Sequence, residues 1–119
     1  MVRLDPFVEE LLGFLLTRID EKGFNHLVAH EPRGTAAPYL ETGGGRAETR
    51  ATYFTGCATC SRIPPGSLFT SYLHINIETW PCQSVRTLAL PFANDPDYDP
   101  AWRPEFAVFA SGKPVRARW

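Results

Sequence analysis

The chain has 119 residues, 44% of them hydrophobic and 21% charged, with a formal net charge of −1. That is the composition of one small globular domain (residues 1–119), and 13% aromatic residues give it the burial capacity to order. The balanced charge removes the global electrostatic argument for nucleic acid or an anionic membrane, and no apolar run approaches the ~18 residues that span a bilayer.

The first apolar stretch is interrupted by Glu9 and Glu10, which is not the pattern of a secretory leader, so a cytoplasmic protein is expected. Asp5 to Lys22 reads as an amphipathic helix. Asp5 can cap it, Pro6 suits the first helical position, and Val8, Leu11, Leu12, Leu15 and Ile19 fall on one face. Phe7, Phe14 and Leu16 widen that face, which predicts a helix embedded on more than one side, with Gly23 as its terminator.

Residues 30–50 lose periodicity and carry Glu31-Pro32-Arg33-Gly34, Ala37-Pro38 and Gly43-Gly44-Gly45, so a flexible loop is expected there. The triple glycine lacks the Gly-Lys-Ser/Thr ending of a phosphate loop. Ala51–Thr55 predicts a short strand. Ser67–Thr79 predicts a longer one: Phe69, Leu73, Ile75 and Ile77 alternate with Tyr72, His74, Asn76 and Glu78. Cys82–Leu90 reads as a second helix, ended or kinked by Pro91. Asp99-Pro100 predicts one helical turn through Trp102, and Phe106–Ala110 a terminal strand, before a basic tail at 113–119.

Three cysteines cannot close a set of internal disulfides, and in a reducing compartment metal binding or burial is their expected use. Cys57-x2-Cys60 has the spacing with which two thiolates in a tight turn bite one tetrahedral ion. Cys82 follows at the start of the second helix, giving a knuckle–strand–helix layout. The expected site is structural Zn2+ held by Cys57, Cys60, Cys82 and His74, with His26 and His30 as alternatives for the fourth ligand. A thiol oxidoreductase is disfavoured, because Pro64 and Pro65 leave no room for the long helix that activates such a pair. The Asp95, Asp97, Asp99 run lacks the central glycine and distal glutamate of a calcium loop.

The run Trp80-Pro81-Cys82-Gln83-Ser84-Val85-Arg86-Thr87-Leu88-Ala89-Leu90-Pro91-Phe92-Ala93, with Asp95-Pro96-Asp97-Tyr98 and Trp102-Arg103-Pro104 after it, resembles the closing segment of an uncharacterised family of small proteins from high-GC Gram-positive bacteria and their phages. The opening helix is loosely similar to that family's first helix. The resemblance implies a cytoplasmic accessory protein of bacterial or phage origin, and the family has no established activity to carry over. It goes with a folded-back unit in which Tyr98 and Trp102 pack on the second helix, with Arg86 and Arg103 near the aspartates.

The expected architecture is a small α+β domain with an N-terminal helix, a short antiparallel sheet and a second helix, stabilised by zinc. The expected function is macromolecular binding, with a protein partner ahead of nucleic acid, no membrane and no catalytic residues. Two rivals are a metal-dependent enzyme with an open coordination position and a metal-free oligomeric packing module.

Overall fold

The computed structural model describes residues 6–110. The expected Asp5 cap and the basic tail at 113–119 lie outside the described residues. The architecture is α+β: helices α1 (Pro6–Leu16), α2 (Glu21–Ala29) and α3 (Gln83–Ala89), and one antiparallel pair, β1 (Pro32–Gly43) and β2 (Arg46–Cys57). None of the described helices is long and apolar enough to cross a membrane.

The single helix expected over 5–22 is two. The first stops at Leu16, where the Thr17 hydroxyl returns to the Phe14 carbonyl at 3.0 Å and competes with helical continuation. Asp20 then takes an extended backbone, and its carboxylate accepts the Gly23 amide at 2.8 Å, which starts α2. Gly23 is therefore in the first turn of a new helix rather than the end of the old one. An added Cβ there would lie 2.9 Å from Ile19 Cβ.

The loop expected at 30–50 is instead most of a β-hairpin. Its strands pair from Pro32 opposite Cys57 to Gly43 opposite Arg46. Gly44 and Gly45 make the connection with φ of +59° and +76°, the left-handed backbone that a two-residue hairpin turn demands at both central positions. Twelve residues per strand extend about 40 Å, and the molecule is accordingly long, 54 × 29 × 26 Å. The outer half of the arm, residues 41–50, is exposed throughout.

The long strand expected over Ser67–Thr79 does not form. Its alternating pattern belongs to a chain that winds through a 3-10 turn at Tyr72–His74 and pairs only locally. Phe69 bridges Tyr39 beside β1, Thr79 bridges Gly56 at the base of β2, and Glu78 bridges Phe109, which reduces the expected terminal strand to the same local pairing.

The larger core joins α1 (Val8, Leu11, Phe14, Leu15) to Leu27, Trp80, Val85, Ala89, Tyr98 and Trp102, with Cys57 and Cys82 at its edge. Phe14 is its hub, with ring centroids 4.9 Å from Trp102, 5.9 Å from Tyr98 and 6.2 Å from Phe92. The folded-back unit thus closes on α1 as well as on α3. A cation near the aspartates comes from elsewhere than expected: Arg18 pairs with Asp95 at 2.9 Å and Asp97 at 3.2 Å. Arg86 is buried, its Nε donating to the Pro81 carbonyl (2.8 Å) and its guanidinium to Ala101 (2.7 Å), while Arg103 pairs with Glu105. A smaller core of Ala37, Ile75 and Ala110 lies under the arm's base.

Candidate metal centre

Three chain segments end at one point. His30 is the residue after α2, Cys57 is the last of β2 and Cys82 is the N-cap of α3. Cys60 follows Cys57 around a turn closed by the Ser61 amide on the Cys57 carbonyl at 3.0 Å. The turn is locked from several sides. The Ser61 hydroxyl meets the Cys57 amide at 2.6 Å and also donates to the Glu78 carbonyl. The Ala58 amide donates to the Glu31 carbonyl at 3.0 Å, and the Thr59 hydroxyl to the Ala29 carbonyl, which ties the knuckle to the end of α2. The buried Trp80 ring donates its Nε1–H to the His30 carbonyl at 2.7 Å and fixes that residue's backbone from the opposite side.

The ligand atoms converge. His30 Nδ1 lies 3.2 Å from Cys57 Sγ, 3.5 Å from Cys60 Sγ and 3.6 Å from Cys82 Sγ. All four ligand atoms are within 4.8 Å of one another. A tetrahedral ion with Zn–S of about 2.3 Å and Zn–N of about 2.0 Å places its sulfur and nitrogen ligands about 3.5 Å apart. The three nitrogen–sulfur spacings match that value to within a few tenths of an ångström.

In the metal-free cluster, burial disfavours charge on Cys60, Cys82 and His30. Burial pushes the Cys60 thiol upward, and neighbouring Cys57 adds to the rise. Burial pushes Cys82 well above the usual thiol range. Burial, and then the adjacent His26, lowers His30, which keeps its imidazole neutral and its lone pair available. His26 stacks on His30 with ring centroids 4.6 Å apart.

Of the residues expected from sequence, Cys57, Cys60 and Cys82 come together and His74 does not join them. His74 is exposed in the Tyr72–His74 turn, its Nδ1 2.7 Å from Thr70 Oγ1. The expected strand was what carried His74 toward the cysteines, and that strand is absent. The histidine that joins the three sulfurs is His30, and the hairpin explains why: with Pro32 opposite Cys57, the chain just before β1 must lie beside the knuckle.

A groove of about 580 Å³ runs between α2 and α3, lined by His26, Gln83, Thr87, Leu88 and Pro91 among others, and by none of the four ligands. No family model, curated protein or solved structure matches the chain.

Proposed function

We propose that the protein is a zinc-stabilised accessory domain that acts by binding another macromolecule, in the cytoplasm, where its thiols stay reduced. The observation that carries the metal half is the convergence of His30, Cys57, Cys60 and Cys82 at tetrahedral spacing. Three sulfurs and one nitrogen favour Zn2+ over harder ions, and four protein ligands leave no open position for a substrate or water. That argues against the metal-dependent enzyme. The ion ties the helical core to the root of the hairpin, so its role is to hold an exposed arm in a fixed direction.

The binding half rests on that arm, whose outer residues are exposed and which carries Tyr53 at 79% exposure on its flank. A protein partner fits better than nucleic acid, because Arg46 and Arg50 on the arm are offset by Glu41 and Glu48, both of which pair with Arg50. The resemblance of the C-terminal segment to the bacterial and phage family supports an accessory role in such a host. Affinity capture from a bacterial lysate, quantified by mass spectrometry, compares the wild type with a chain lacking residues 41–48. Partners that disappear with the arm support the reading; an unchanged set of partners contradicts it.

A further inference from the structure

We propose that Cys60 is a modification site, the sulfur through which a hydroperoxide or a soft electrophile attacks the centre, with Cys57 as the thiolate that closes a disulfide and frees the ion. The inference rests on the metal reading above. Cys57 and Cys82 are 2% and 0% exposed, whereas Cys60 is only half-buried, on a turn whose neighbour Thr59 is exposed. The Cys57 sulfur accepts the Cys60 amide at 3.3 Å, and amide donation tempers a thiolate's nucleophilicity. No amide donates to the Cys60 sulfur among the described residues. Cys60 therefore combines the best access of the three with less amide protection than Cys57, the two properties that select one thiolate over its neighbours. Its resolving partner is in place, because the Cys57 and Cys60 sulfurs lie within 4.8 Å.

With hydrogen peroxide, the Cys60 thiolate attacks one oxygen, the S–O bond forms, the O–O bond breaks and hydroxide leaves. The Cys57 thiolate then attacks the sulfenyl sulfur, the S–S bond forms and a second hydroxide leaves. Two protons from solvent turn the hydroxides into water. The sulfurs lose two electrons, the peroxide gains them, and the ion, left with His30 and Cys82, dissociates.

The test uses the full chain, with zinc measured by elemental analysis before any reagent is added. Pulse labelling with N-ethylmaleimide, read by peptide mass spectrometry, is expected to modify Cys60 at least about tenfold faster than Cys57 or Cys82. Equimolar hydrogen peroxide is expected to give the Cys57–Cys60 disulfide and to release zinc in step, read with a chromophoric chelator. In zinc-loaded protein, Cys57 or Cys82 reacting as fast as Cys60, or zinc release without that disulfide, overturns the proposal. A chain that carries no zinc yet labels first at Cys60 sinks the metal reading and leaves Cys60 as the entry point.

Discussion

His30 is where the account is most exposed at the scale of single residues. Among the described residues it is the one nitrogen donor beside the three sulfurs, its backbone held by the Trp80 bond to its carbonyl and its ring by the stack on His26. Removing even an outer partner of a metal ligand costs 10–100-fold in affinity, so His30→Ala is expected to weaken zinc binding by more than about 100-fold in a competition titration. His74→Ala is expected to change it little, because among the described residues that ring meets Thr70 at an exposed turn and not the cluster. Gly56 is a second point where one residue decides the geometry. A Cβ there would press on Thr35 Oγ1 and lie 2.8 Å from Ser61 Cβ, the side chain that locks the knuckle. Gly56→Ala is expected to lower stability by about 1–3 kcal/mol in urea unfolding, with weaker zinc retention, as overpacking at a tight site does.

The hairpin is the element that most changes the picture drawn from sequence. Its strands show weak alternation because the outer arm has no core to face, and periodicity reports burial rather than backbone pairing. The three glycines read as a linker, yet two of them supply the only backbone that turns this ladder back on itself. Replacing both Gly44 and Gly45 with alanine forces left-handed backbone at about 1–2 kcal/mol per residue. The expected result is faster amide exchange across 40–49 with the α1 amides unchanged; equal loosening of both would show that the arm and the helical core are one cooperative unit. By contrast, the apolar faces of α1 and α3 follow from 3.6-residue spacing and the turn at Pro100–Trp102 from its Asp99 cap, because each buries a face in the main core. That the three cysteines meet was legible from the Cys57-x2-Cys60 spacing and from Cys82 at the head of the second helix. The histidine was not, since its place depends on the hairpin register, and the pattern over Ser67–Thr79 pointed to the wrong ring.

On the scale of the whole molecule, the His30–Cys57–Cys60–Cys82 cluster joins the end of α2, the root of the hairpin and the start of α3, and its protonation sets the pH behaviour. Without metal, burial holds the Cys60 and Cys82 thiols protonated, while unfolded thiols ionise near pH 9.0. Their folded values are thus raised, so the stability tied to the protonated form is present below pH 9.0 and declines as pH rises beyond it. With zinc the trend reverses, because the ligands bind as thiolates and protons compete with the ion as pH falls. Urea midpoints of the loaded chain are expected to rise from acid to neutral pH, while those of the metal-free chain fall on the alkaline side. The most direct measurement is native mass spectrometry of the intact chain, purified under reducing conditions without added metal. A mass one zinc heavier than the chain, less the protons displaced from the thiols, with unfolding on chelation, is the predicted result. A chain at its metal-free mass that takes up no added zinc and keeps its melting temperature in chelator would contradict the account.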